Sequence, residues 1–133
     1  MCSKQQKRNT LQCLAFGPPY QTSINLQMFF GLGEKLNGNQ RITEKEFEEF
    51  FIKTILPIYP SSTTYTATGY YKDPLGIPQN NITKVFQVLT RDSACKTKHN
   101  AAYISKKFSA QFGANNTPFV TLNYSNADYS TLA

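Results

Sequence analysis

The stretch Ile24-Asn25-Leu26-Gln27-Met28-Phe29-Phe30 alternates apolar and polar side chains along most of its length. A period of two places successive side chains on opposite faces, so this stretch predicts a β-strand with one clearly apolar face. Gly31-Leu32-Gly33 follows directly, and its glycines predict the end of the strand. The elements beyond this first strand decide the fold.

A helix is predicted to start soon afterwards. Thr43 can cap its first turn, and Glu46, three residues later, completes a capping box. Ile42 and Phe47 flank the cap as a hydrophobic staple. The apolar residues that follow recur at helical spacing and form one stripe: Phe47, Phe50, Phe51 and Ile55. Pro57 is predicted to end the helix.

The remaining elements complete a recognisable order. Two strand-like runs cover about Thr64–Tyr71 and Ile82–Thr90, and both are rich in β-branched or aromatic residues. A second amphipathic helix covers about Thr97–Phe112, and a last strand covers Phe119–Tyr124. The order β-α-β-β-α-β is that of the ferredoxin-like split βαβ plan. We therefore predict an α+β fold with a four-stranded antiparallel sheet and two helices on one face.

Length and composition fit one domain. The chain has 133 residues, of which 40% are hydrophobic and 14% aromatic, enough for a packed core. We predict a flexible N-terminal tail over 1–22, the α+β domain over 23–124 and a C-terminal tail over 125–133. No apolar run reaches the length of a transmembrane helix.

The chain is basic, with a formal charge of +6. The excess cations lie in the tail and on the second helix: Lys4, Lys7, Arg8, Lys96, Lys98, Lys106 and Lys107. This pattern is typical of a solvated helix face, and it also suits an anionic partner. The three cysteines and the single His99 have no metal-ligand spacing, so we predict neither a metal site nor a cofactor.

Several segments together resemble an uncharacterised bacterial family, domain of unknown function family 3574. The segments that carry the resemblance are Phe29–Leu32, Ile42–Phe47, Leu56–Pro60, Thr68–Asp73, Thr83–Val85, Phe108 and Gln111–Gly113. The chain departs from the family pattern at Ala114-Asn115-Asn116, and it has Tyr71 where a Trp is common. Members of this family resemble small secreted or lipid-anchored proteins, and the resemblance implies no established activity.

The resemblance suggests a role for the cysteines. Met1-Cys2-Ser3 is similar to the mature start of a lipoprotein, with Cys2 as the lipidation site; an ordinary cytosolic N-terminus is the alternative. Cys2 then leaves Cys13 and Cys95 as a pair, and in a ferredoxin-like sheet the segments carrying them lie close enough for a disulfide. This interpretation implies the periplasm or cell envelope, with membrane attachment only if Cys2 is lipidated. Two free thiols would instead favour the cytoplasm.

The sheet face opposite the helices carries the main functional prediction. We expect the helices to cover Ile24, Leu26, Met28, Phe30, Val120, Leu122 and Tyr124. The open face then carries Asn25, Gln27, Phe29, Thr121 and Asn123. The third strand has apolar residues on both of its faces, so its orientation stays ambiguous. In either register the open face is nearly free of charge, which is typical of an interface or ligand surface.

Three functions follow from this face. The first is a binding or accessory protein that forms a homodimer by stacking two sheets. The second is a protein or enzyme that binds a small anionic ligand near the sheet, with these candidate residues: Phe29, Tyr70, Tyr71, Lys84 and Arg91. No catalytic constellation is recognisable, so enzymatic activity stays open. RNA binding ranks last, because the basic residues lie on the second helix and tail rather than on the sheet.

Overall fold

The computed structural model describes residues 21–34, 42–113 and 116–127. Within these ranges the elements occur in the order β1, α1, β2, β3, α2 and β4. Their bounds are Gln21–Glu34 for β1, Glu44–Phe50 for α1, Thr63–Lys72 for β2, Pro78–Thr90 for β3, Ala94–Phe112 for α2 and Phe119–Ala127 for β4. This order confirms the predicted β-α-β-β-α-β plan.

The four strands form one sheet in the spatial order β2-β3-β1-β4. Every neighbouring pair is antiparallel. β1 and β3 are therefore direct neighbours, as the split βαβ plan predicts. The predicted four-stranded antiparallel sheet of an α+β protein is confirmed.

The core lies between the helices and the sheet. Phe30 of β1 is fully buried at its centre, with its ring 4.9 Å from that of Phe108 on α2 and 5.2 Å from that of Phe47 on α1. Other buried members include Leu26, Met28, Phe50, Ile55, Phe86 and Ile104. The predicted stripe of α1 therefore packs as core, while Phe51 is only partly buried at its margin.

The start of α1 follows the predicted capping geometry. The Glu46 backbone N–H donates to Thr43 Oγ1 at 3.1 Å, and the Thr43 backbone N–H donates to Glu46 Oε1 at 3.1 Å. α1 then widens into a π-helical segment over Phe51–Ile55, in which the Leu56 backbone N–H donates to the Phe51 carbonyl at 2.9 Å. The sequence analysis did not foresee this widening. It brings the helix to its end just before Pro57.

The predicted end of β1 at Gly31-Leu32-Gly33 is wrong, because the strand continues to Glu34. A register shift between Gly31 and Gly33 marks a β-bulge, and Gly33 has a φ of 113° that suits glycine. Leu32 is fully buried, and its carbonyl accepts a hydrogen bond from the Ile42 backbone N–H at 2.9 Å. The bulge at the two glycines therefore changes the direction of β1 without ending the strand.

Three further boundaries differ from the prediction. β3 begins at Pro78 rather than Ile82, and β4 continues past Tyr124 to Ala127. α2 begins at Ala94 rather than Thr97, because Ser93 caps it by accepting from the Lys96 backbone N–H at 3.1 Å. Within the described ranges, neither helix combines the length and apolar character that crossing a bilayer requires.

Candidate functional site

The register assigns a face to each strand. Buried Met28 pairs with Phe86 and buried Leu26 pairs with Val88, so these residues of β3 face the helices with β1. Lys84 lies on the same face because it is two residues from Phe86. The alternate residues of β3, including Val85, therefore lie on the open face. This pairing resolves the ambiguity that the third strand presents in sequence.

A row of four side chains crosses the open face, one from each strand. We call it the apolar row; in sheet order it comprises Tyr65, Val85, Phe29 and Phe119. The rings of Phe29 and Phe119 stack with centroids 5.9 Å apart and planes 13° apart. Val85 is 2% exposed between its larger neighbours, whereas Tyr65 is 46% and Phe119 66% exposed. Two of the four side chains, Tyr65 and Phe119, therefore expose a large part of their apolar surface to solvent.

Neutral polar groups flank the apolar row. On one side, Gln27 Nε2 donates to Gln87 Oε1 at 2.9 Å, and Thr121 Oγ1 donates to Gln27 Oε1 at 3.4 Å. On the other side the Asn81 side chain lies over Gly69, where a Cβ would lie 2.5 Å from Asn81 Oδ1. Among the described residues of this face the one charged residue is Glu34, which pairs with Asn81 beyond the bulge of β1, at a distance from the apolar row. The prediction of an open face that is nearly free of charge is thereby confirmed.

A second concave feature lies on the helix side of the sheet. This groove, the Lys84 groove, has a volume of about 320 Å³ and is lined by Glu44, Phe47, Glu48, Phe51, Ile52, Thr64 and Lys84. It exists because the helices leave β2 uncovered: Thr64, Thr66 and Thr68 all face the helix layer and are exposed.

Lys84 is the central polar group of that groove. Its side chain is only 19% exposed, and its Nζ donates to Thr66 Oγ1 at 2.6 Å and lies 3.8 Å from Glu44 Oε1. The stem is thus packed while the ammonium group reaches the rim. An anion could bind there by replacing Glu44, whose side chain is 61% exposed and weakly held.

The structure does not gather the five predicted ligand residues into one site. Phe29 and Tyr71 lie on the open face, whereas Tyr70 and Lys84 lie on the helix side. Arg91 is exposed just beyond the end of β3. The role of each in ligand binding stays a prediction, but they cannot act together on one small molecule.

The sequence analysis did not identify two residues of the apolar row or two residues that contact Lys84. Tyr65 and Phe119 complete the apolar row, and Thr66 and Glu44 complete the polar contacts of Lys84. Only the pairing register brings these residues together, and no local sequence signal encodes it.

Two other titratable groups bear on stability and location. Burial raises the pKa of Tyr59; the hydrogen bond that Asn100 donates to its hydroxyl opposes this, and the charge of Asp92 adds to the increase.

Cys95 is disulfide-bonded, whereas Cys2 and Cys13 lie outside the described residues. The pairing with Cys13 and the lipidation of Cys2 stay predictions. His99 is exposed on α2, and the described residues contain no cluster of three metal-ligating side chains.

Comparison with known proteins agrees with the fold. The chain is similar to a solved phage SAM lyase in complex with S-methyl-5'-thioadenosine, with a TM-score of 0.50 and 15% identity, over 80% of this chain and 92% of that one. A likeness at this identity shows the fold alone. No curated protein gives a significant match. The model of the family described as "Protein of unknown function (DUF3574)" matches residues 25–122. The chain therefore belongs to this family, as the sequence resemblance predicted.

Proposed function

We propose that this protein is a small binding or accessory protein that works as a homodimer, with two copies stacked through their open sheet faces. The observation that carries the proposal is the apolar row on a face that is nearly free of charge. Phe119 and Tyr65 expose 66% and 46% of their surface there. Apolar surface of this kind gains roughly 25 cal/mol per Å² when it is removed from water.

The face is large enough for a specific interface. Four strands about 4.8 Å apart and about seven residues long at roughly 3.3 Å per residue span an area of roughly 450 Å² in projection. Side-chain relief makes the accessible area larger, while Ser23 and Val85 of this face are already buried in the single chain, so two copies would bury on the order of 1,000 Å². That total lies at the lower end for stable protein interfaces and predicts a dimer of moderate affinity.

Charge favours a second copy as the occupant. The chain carries a formal charge of +6, so most surfaces of two copies repel each other. The open face escapes this repulsion, while Lys96, Lys98 and Lys106 are exposed on α2 in the opposite layer. The neutral amide and hydroxyl groups of Gln27, Gln87 and Thr121 can donate to and accept from their own copies. Phosphate groups of RNA would find no cation among the described residues of this face.

The disulfide of Cys95 supports a location in the cell envelope. Disulfides persist in oxidising compartments and are rare in the cytosol. A lipid on Cys2 would then hold the protein at the membrane. Mass spectrometry of protein isolated from its native envelope tests this location: a diacylglyceryl-modified Cys2 is the expected result, and an unmodified, reduced chain contradicts it.

Sedimentation equilibrium with a charge inserted into the face tests the dimer. Thr121→Lys places one new cation per copy beside the apolar row, and its partner copy brings another. We expect the wild type to dimerise and this variant to sediment as a monomer. Ala110→Lys adds the same charge on exposed α2 and serves as the matched control. A wild type that stays monomeric at high concentration, or equal effects of the two variants, contradicts the proposal.

A second candidate function is the binding of a small ligand in the Lys84 groove. The specific observation is a lysine whose side chain is only 19% exposed and whose ammonium group lies beside Thr66 Oγ1 at the rim of a groove of about 320 Å³, within the size range of small-molecule sites. The SAM lyase of similar fold holds a nucleoside thioether in its complex, which supports testing this class first.

Native mass spectrometry can decide this second function. Non-reduced protein would be titrated with S-methyl-5'-thioadenosine, with SAM and with inorganic phosphate. Binding of one of these probes that Lys84→Met abolishes and Lys96→Met preserves supports the site. No adduct with any of the three probes contradicts it for these ligand classes.

A further inference from the structure

The end of the β2–β3 hairpin stands apart from the rest of the sheet. β2 and β3 pair as far as Lys72 with Pro78, whereas the described pairing of β3 with β1 ends at Asn81. The last rungs of the hairpin therefore form a two-stranded ribbon that projects past β1. Its turn, Asp73 to Ile77, lies at the far end.

This turn presents apolar side chains to solvent. Leu75 is 84% exposed and Ile77 51% exposed. On the strand that leads into the turn, Tyr70 is 78% and Tyr71 43% exposed. Consecutive strand residues point to opposite faces, so one tyrosine lies on each side of the ribbon. Two aliphatic side chains thus lie at the tip and two phenols lie behind them.

The turn is held rigidly by Asp73. Its Oδ1 accepts from the backbone N–H groups of Leu75 at 2.9 Å and Ile77 at 2.8 Å, and its Oδ2 accepts from Gln79 Nε2 at 3.2 Å. The Gly76 backbone N–H donates to the Asp73 carbonyl at 2.9 Å, and Gly76 has a φ of 79°. The hydrogen bonds, led by that of Ile77, hold the pKa of Asp73 below its ordinary value.

This hydrogen-bond network lowers the free-energy cost of moving the tip from water into a less polar environment. A backbone N–H without a partner opposes transfer out of water, but those of Leu75, Gly76 and Ile77 are already paired within the turn. The Asp73 carboxylate accepts from the N–H groups of Leu75 and Ile77 and from Gln79 Nε2, whereas Gly76 donates to the Asp73 carbonyl. The tip can therefore leave water without exposing an unpaired backbone donor from these three residues.

We propose that the hairpin tip, residues 74–77, inserts into the interfacial region of a lipid bilayer. Leu75 and Ile77 would reach the acyl boundary, and Tyr70 and Tyr71 would lie at headgroup level, where tyrosine is enriched. Lys72 lies behind the tip and suits anionic headgroups, as does the net charge of the chain. A convex tip with one phenol on each side of the ribbon fits a bilayer better than a protein surface, which would need a matching cavity. A single chain could make this contact, so it requires neither the dimer nor a lipid on Cys2.

The chain contains no tryptophan, so a single Trp gives an unambiguous signal. Leu75→Trp would be mixed with vesicles of phosphatidylcholine alone and of an equal mixture with phosphatidylglycerol. We expect a blue shift of its emission and protection from iodide quenching, stronger with the anionic vesicles. Tyr103→Trp, at a residue 45% exposed on α2, is the matched control and should show neither change.

A co-sedimentation assay measures the contribution of the tip. We expect replacement of both Leu75 and Ile77 by Ser to lower vesicle partitioning by at least about tenfold. Tyr103→Ser should leave it unchanged, and circular dichroism verifies the folding of each variant. Absence of wild-type binding to both vesicles overturns the proposal and would leave a protein as the occupant of the tip. Equal binding of the wild type and the double variant also overturns it, because the contact would then lie elsewhere.

Discussion

Replacing Phe119 by Ala should weaken the proposed dimer strongly while leaving each chain folded. A phenylalanine side chain offers about 200 Å² of surface, and 66% of this residue is exposed in the single chain. Burying about 130 Å² at roughly 25 cal/mol per Å² gives about 3 kcal/mol per copy. Allowing for the methyl group that Ala retains, the loss is about 2 kcal/mol per copy, or about 4 kcal/mol per dimer.

That free energy corresponds to a Kd increase of about a thousandfold, and imperfect packing at the interface would reduce it to about a hundredfold. The fold of the single chain should lose only about 1 kcal/mol, chiefly from the stack with Phe29. Sedimentation equilibrium measures the Kd, and urea unfolding measures the stability. Tyr103→Ala removes a similarly exposed ring from α2 and should leave Kd unchanged. A change of less than about threefold for Phe119→Ala would refute the face as the interface.

Three predictions concern the fold itself. Phe30→Ala should lower the free energy of unfolding in urea by about 4 kcal/mol, because it empties the centre of the aromatic core; a loss below about 1.5 kcal/mol would place the core elsewhere. Thr43→Ala should cost about 1 kcal/mol by removing the hydrogen bond that Thr43 Oγ1 accepts from the Glu46 backbone N–H and the one that it donates to Glu46 Oε1, whereas Glu49→Ala on the exposed face of α1 should cost less than about 0.5 kcal/mol. Because burial raises the folded-state pKa of Tyr59, the unfolded chain releases that proton at lower pH, near 10, so stability should fall as pH rises through this range. Tyr59→Phe should flatten this slope between neutral and alkaline pH, and an unchanged slope would show that another group is responsible.

Local signals predicted the fold where they were complete within a few residues. The capping box at Thr43 and Glu46 needs only one turn of chain, and the structure reproduces both of its hydrogen bonds. Alternation in β1 predicted its buried face correctly through Phe30. The order of such elements was enough to predict the sheet topology, because few arrangements satisfy it.

Local signals failed where a distant partner determines the conformation. Gly31 and Gly33 predicted the end of β1, but pairing with β3 across a bulge and the burial of Leu32 hold the strand beyond them. The polar start of β3 at Pro78 is a strand only because β2 pairs with it. Val85 is apolar and buried although it faces away from the helices. Apolar residues therefore occur on both faces of β3, and their alternation could not show which face lies against the core.

The two proposals constrain each other through symmetry. A two-fold axis between the stacked sheets can run along the strands or across them. If it runs across the strands, the two hairpin tips point in opposite directions, and only one of them can reach a given bilayer. If it runs along the strands, both tips point the same way, and β2 of each copy lies over β4 of the other. Two tips on one membrane would then bind with far higher effective affinity than one. The dimer variant Thr121→Lys should therefore also weaken vesicle binding if the axis follows the strands, and should leave it unchanged if the axis crosses them.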